Sequence, residues 1–131
     1  MKKIPEELQY LLLDETKAFA FLATSMPDGS PQVTPVWFNM EGDYILINTV
    51  KGRTKYRNMQ ANPQVALAIP DPQNPYRYIQ IRGRVVEIRT AGGMEHIQKL
   101  AVIYTGKTGD FPPDQERVIY KIVSERIDAH P

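Results

Sequence analysis

From Ala18 onward, short runs of strand-forming residues are broken at close intervals by turn chemistry, which narrows the choice of fold more than anything else in the chain. Phe19-Ala20-Phe21-Leu22-Ala23-Thr24 is followed by Pro27-Asp28-Gly29-Ser30, then by Gln32-Val33-Thr34-Pro35-Val36-Trp37-Phe38. Asp-Gly between two such runs is a strong hairpin signal, because these residues tolerate the positive φ of a tight turn. A second turn at Glu41-Gly42-Asp43 leads into Tyr44-Ile45-Leu46-Ile47-Asn48-Thr49. Val65 to Ile69 and Tyr76 to Ile88 read as two more strands, parted by a proline-rich loop from Pro70 to Pro75. Gly83 inside the second marks a bulge or bend. A last strand spans about Arg117 to Ile127.

Helices are few and short. Pro5-Glu6-Glu7 opens one, with proline in the first turn, acids complementing the dipole, and Leu8, Leu11 and Leu12 as its apolar stripe. A second follows Thr49 and ends at Asn62-Pro63, with Gly52, Tyr56 and Met59 on one face. A third covers about 94–104 and gathers Ile97, Leu100, Ala101 and Tyr104 on one side. Six short strands without regular βαβ alternation suit a small closed or split barrel better than an open parallel sheet, with a sandwich as the other option. The 131 residues make one domain, 1–131, with no repeat or linker.

Composition removes several functions. A formal net charge of +1 and a pI near 7.9 do not suit a dedicated nucleic-acid binder. The absence of cysteine removes disulfides, thiolate metal sites and thiol nucleophiles together, and fits a reducing cytoplasm. Apolar runs such as Leu11-Leu12-Leu13 fall far short of the roughly 20 residues of a membrane span. Lys2 and Lys3 imitate the start of a leader, but Glu6, Glu7, Asp14 and Glu15 interrupt any apolar core after them. The expectation is a cytoplasmic protein without nucleic-acid or membrane partners.

Against that near-neutral background, Val50-Lys51-Gly52-Arg53-Thr54-Lys55-Tyr56-Arg57-Asn58 places four cations in seven positions, and no acid occurs from Tyr44 to Pro70. The cluster opens a helix, where free N–H groups and the dipole favour an anion. Arg53 and Arg57 are four apart and share a face, as do Lys51 and Lys55. Asn48 and Thr49, ending the preceding strand, carry donors suited to a phosphate or a heteroaromatic ring. The plain alternative is a solvated helix face. Other constellations carry less. Thr105-Gly106-Lys107-Thr108 resembles the tail of a P-loop, but the glycine required upstream would fall at Ala101, inside a helix. His96 and His130 are the only histidines, too few for a His-based triad or metal site, and His96 reads as an exposed or half-buried helix residue. Nothing marks a metal site or a catalytic acid or base.

The wording from Leu22 through Pro27-Asp28-Gly29-Ser30 to Trp37-Phe38 resembles the flavin-binding split-barrel family, the superfamily of the pyridoxamine 5′-phosphate oxidases. The likeness continues through Ile47-Asn48-Thr49, Gly52-Arg53-Thr54-Lys55 with Asn58, and Tyr76 to Arg84. It covers roughly residues 8 to 128 and is greatest toward the coenzyme F420-dependent branch. The resemblance implies a six-stranded antiparallel split barrel with Greek-key connections, a homodimer, and two cofactor sites at the subunit interface. It implies that Gln32, Val33, Thr34, Pro35, Val36 and Trp37 run alongside the ring of FMN or F420, much of the contact coming from backbone. It further implies that Asn48 and Thr49 touch the ring or ribityl chain. Arg53, Thr54 and Lys55 would hold the phosphate, with Lys51, Arg57 and Asn58 nearby and Tyr78 adding a side chain.

Two departures bear on activity. Vitamin B6 oxidases of the family commonly carry a substrate-binding lysine where this chain has Trp37, and a C-terminal arginine and histidine two residues apart where Arg126 and His130 are four apart. The resemblance therefore implies a flavin- or deazaflavin-dependent oxidoreductase acting on a small unsaturated or quinone-like substrate, rather than a pyridoxamine phosphate oxidase. Cofactor storage or delivery without turnover (FMN, F420 or haem), or a barrel that kept the fold and lost the cofactor, are the alternatives.

Overall fold

The computed structural model describes residues 4–131; Met1–Lys3, including the two lysines that imitate a leader, lie outside the described residues. Strands β1 (Ala20–Ser25) and β2 (Pro31–Val36) form the hairpin expected from Asp28-Gly29. Met26 N–H donates to Ser30 O at 2.8 Å and the Asp28 carboxylate accepts from Ser30 N–H at 3.0 Å, which fixes the register Ala20↔Val36 to Ser25↔Pro31. After β3 (Asn39–Glu41) and β4 (Tyr44–Val50), helix α1 (Thr54–Ala61) leads to β5 (Gln64–Asp71) and the long β6 (Asn74–Arg89). Helix α2 (Gly93–Thr105) and β7 (Arg117–His130) complete the chain.

The sheet order is β2-β1-β5-β6-β7-β4-β3 and every pairing is antiparallel. Strands β5, β6 and β7 are neighbours in sequence order, and β4 lies beside β7, which is a Greek key. This is the split barrel. It has seven strands rather than six, because the chain leaves its ladder at Trp37-Phe38. There the Phe38 N–H donates to the Tyr104 hydroxyl at 3.2 Å, and Asn39–Glu41 pairs with Tyr44–Leu46 as a strand of its own. The proline-rich loop is also tighter than expected, since the strands extend to Asp71 and resume at Asn74. The bulge at Gly83 is present as a register shift between Arg82 and Gly83.

Alternate residues of the strands fill one core: Leu22, Ile45, Ile47, Leu67, Ile69, Ile79, Ile81, Tyr120 and Ile122. A short 3-10 helix, Glu6–Leu12, closes one end with Leu8 and Leu11. Helix α2 packs on the other side of β4 and β7 through His96, Ile97, Leu100 and Ala101. Its first residue comes very close to β7: a Cβ on Gly93 would sit 2.0 Å from the Arg117 carbonyl oxygen, so only glycine fits. No helix among the described residues is long and apolar enough to cross a membrane.

Candidate functional site

The basic stretch splits into a turn and a helix. Gly52, at φ 94°, reverses the chain after β4, and α1 starts at Thr54 without any side chain capping its N terminus. The four cations then meet different fates. Lys51 pairs with Glu116 at 3.7 Å across the β4–β7 edge, and Arg57 turns back to donate to the Gly52 carbonyl. Arg53 and Lys55 have no ion pair among the described residues. They line an open groove of about 360 Å³ together with Gln32, Gly52, Thr54 and Arg57.

A buried relay orients Gln32 in that groove. Asn58 donates to Thr24 Oγ1 at 3.0 Å, and Thr24 Oγ1 donates to Gln32 Oε1 at 3.0 Å, which leaves the Gln32 amide NH₂ as a donor. Lys55 is half-buried. Desolvation lowers its pKa, and the charges of Arg53 and Arg117 lower it further. Such a group is destabilised until an anion arrives.

Lys55 also borders a second cavity, of about 230 Å³, walled by Phe19, Pro35, Val36, Trp37, Ile97, Leu100 and Phe111, with Asn48 and Arg117. Tyr104 sets the aromatic wall: its ring stacks on Trp37 at 5.3 Å and 9°, and meets Phe19 edge-on at 5.4 Å. Its hydroxyl donates to Ala18 O at 2.5 Å, and burial pushes its pKa up to about 12, so it stays neutral. Arg117 is only 9% exposed. Its guanidinium lies 4.9 Å from the Phe111 ring centre and donates to Gln115 Oε1 at 3.1 Å and to Asn48 Oδ1 at 3.5 Å. Its Nε has no partner, and no ion pair neutralises it among the described residues.

A family model described as pyridoxamine 5′-phosphate oxidase matches residues 4–130. The chain belongs to that family. Among solved structures it is similar to a protein named F420 reductase, with 38% identity over 95% of this chain and 98% of that one, and a TM-score of 0.84. It shares its fold with HupZ from Group A Streptococcus at 22% identity, over 97% of this chain and 98% of that one, TM-score 0.69. General Stress Protein 26 of Bacillus anthracis has the same fold at 17% identity, over 95% and 92% of the two chains, TM-score 0.70. No curated protein matches the chain.

The residues that the family likeness singled out are distributed unevenly. Gln32, Arg53, Thr54 and Lys55 converge on the groove, and Pro35, Val36 and Trp37 line the adjoining cavity. Val33 is 62% exposed on the outer sheet face, whereas the Thr34 hydroxyl is buried without a partner. Asn48 borders the cavity, but its amide hydrogens are taken by Gly93 O at 2.9 Å and His96 Nδ1 at 3.1 Å. Thr49 is buried, with its hydroxyl unpartnered. Asn58 is buried on the inner face of α1, where it also donates to Met26 Sδ at 3.3 Å. Tyr78 lies beyond this groove, stacked on His130 at 4.6 Å.

His96 is buried rather than exposed or half-exposed, because α2 presses it against β3 and β4. Nδ1 accepts from Asn48, so Nε2 carries the proton and donates to Asn39 Oδ1 at 2.8 Å; burial pulls its pKa down to about 4. Thr105-Gly106-Lys107-Thr108 closes α2 at its C terminus, the opposite end from a phosphate loop. Arg117 and Phe111 escaped the sequence reading. Their signal was a lone arginine opening an apolar strand and a lone phenylalanine in a loop, neither tied by spacing to Lys55.

Proposed function

We propose that this chain is an oxidoreductase that binds a flavin or deazaflavin, with coenzyme F420 favoured, and passes a hydride between it and a small unsaturated or quinone-like substrate. The observation that carries the reading is Arg53 and Lys55, in no ion pair among the described residues, at the uncapped start of α1 beside the oriented amide of Gln32. Phosphate is the group that such a groove suits: convergent cations, backbone N–H groups and a fixed amide donor. Arg53, Thr54 and Lys55 would hold it, and the ring would lie along Gln32 to Trp37, where the edge strand β2 has ladder partners on one side. Proline at 31 and 35 keeps that free edge from pairing with another strand. Held there by those residues, the reduced cofactor would supply a hydride, two electrons and a proton, and solvent would supply the acceptor's second proton.

The cofactor preference rests on two supports. The relative at 38% identity is named F420 reductase. The cations here also exceed what a single phosphate needs, which suits the longer acidic tail of F420. Vitamin B6 oxidation is disfavoured, because position 37 presents an indole stacked on Tyr104 rather than a lysine. A second copy of the chain would complete the site. Phe21, Val33 and Pro35 form an apolar outer face with Ala66 and Ala68, and Tyr78 lies on the same face, from which it would reach the groove of a second copy.

The test is a side-by-side fluorescence titration of cofactor-free protein with FMN and with F420. The expected result is micromolar or better affinity for one of them, about 8 kcal/mol, with F420 the tighter. Binding of neither would overturn the reading.

A further inference from the structure

The cavity beside Trp37 carries a charge that cofactor phosphate binding does not explain. Its walls are aromatic and aliphatic, yet its polar contributors are two cations and an amide with both donors engaged. Arg117 is buried, lies against Phe111, and keeps an unpartnered Nε. The nearest acid in sequence, Glu116, is engaged with Lys51. Burying a guanidinium without a counter-ion costs free energy in the unliganded protein, and a desolvated cation in an apolar enclosure binds an anion far more strongly than an exposed one does.

We propose that this cavity is an anion-binding pocket for a planar aromatic or conjugated carboxylate, with Arg117 taking the carboxylate, Lys55 shared between it and the phosphate groove, and Trp37, Phe111 and Ile97 enclosing the apolar body. Arginine's planar fork suits a carboxylate in two-point contact, and Gln115 and Asn48 hold the fork in place. Where the cavity receives substrate, this deepens the oxidoreductase reading and rests on it: the substrate class becomes unsaturated or aromatic acids. The same chemistry could come instead from an anionic portion of the cofactor.

The only tryptophan of the chain forms one wall, so its fluorescence reports occupancy without any turnover. Cofactor-free protein would be titrated with benzoate and, in parallel, with benzamide, the neutral compound of nearly the same shape. Benzoate is expected to quench Trp37 saturably and to bind at least about ten-fold more tightly than benzamide, with that preference lost in Arg117→Met and in Lys55→Met. Equal response to both compounds, or a benzoate response unchanged in the variants, would overturn the assignment. Lys55 is half-exposed and its substitution tests the pocket even where Arg117→Met fails to fold. Repeating the titration with FMN or F420 bound separates the sources: retained benzoate binding assigns the pocket to substrate, and competition assigns it to the cofactor's own anion. A selective benzoate site in a protein that binds neither cofactor would leave the pocket standing and remove the oxidoreductase reading.

Discussion

His96 sits between two asparagines with each ring nitrogen committed, one accepting from Asn48 and one donating to Asn39. Protonation would bury a charge, with Lys99 and Arg89 adding repulsion, which is why its folded pKa falls to about 4 from 6.5; the new N–H would also face the Asn48 amide. Between these values the unfolded chain binds more protons than the folded one, so stability is full above pH 6.5 and declines as pH falls toward 4. The loss from this residue should reach roughly 3 kcal/mol by pH 4, and urea midpoints across that range should flatten in His96→Gln. Asn58 makes a related point. Its side chain supports Gln32 through Thr24 rather than touching the groove, so Asn58→Ala should cost about 1–3 kcal/mol in a urea melt through the unmade buried bonds. Cofactor affinity should fall with it, since the Gln32 amide is freed to rotate.

At the scale of elements, the start of α1 and the start of α2 do opposite work. α1 keeps its N terminus open, with Arg53 and Lys55 in no ion pair among the described residues; Arg53→Ala and Lys55→Ala should each lower cofactor affinity by about 1 kcal/mol or more. Lys55→Ala should leave thermal stability unchanged or slightly raised, because it removes a desolvated charge beside two others. A fall in stability matching the fall in affinity would mean that Lys55 is structural. α2, by contrast, is locked to the sheet by Gly93 against the Arg117 carbonyl and by Asn48 on the Gly93 carbonyl. Gly93→Ala should therefore destabilise by about 2–4 kcal/mol, and shift Arg117 enough to change Trp37 fluorescence.

For the molecule as a whole, the outer face of β2, β1 and β5 sets the next question. Val33 is exposed and shares that face with Phe21 and Pro35, which makes a contiguous apolar patch rather than a single exposed side chain. Val33→Glu should give a monomer by sedimentation equilibrium and lower the melting temperature only by what association contributes, since the side chain is exposed in the single chain. Weaker cofactor binding should accompany it, because Tyr78 would no longer arrive from a second copy. A wild-type protein that sediments as a monomer while binding cofactor tightly would refute the two-copy site.

Local chemistry was enough for much of this. Turn residues at Asp28-Gly29 and Glu41-Gly42-Asp43 act within a few positions, so the hairpins were legible, as were the bulge at Gly83 and the cation cluster at the head of α1. The family wording added the split barrel. Strand β3 was not legible, because its separation from β2 depends on Tyr104 capturing the Phe38 N–H from the far end of α2. The site's charge balance was equally hidden. Lys51 is neutralised by Glu116, and Arg117 joins Lys55, only because β7 pairs with β4 at Thr49↔Val118 and Val50↔Arg117. Asn48 and His96 look like free polar groups along the chain and become each other's partners when α2 docks. Periodicity and turn chemistry are properties of neighbouring residues and survive in one dimension. Which charges are answered, and which are left buried and waiting, is fixed by contacts between strands far apart in sequence, and only the tertiary structure decides it.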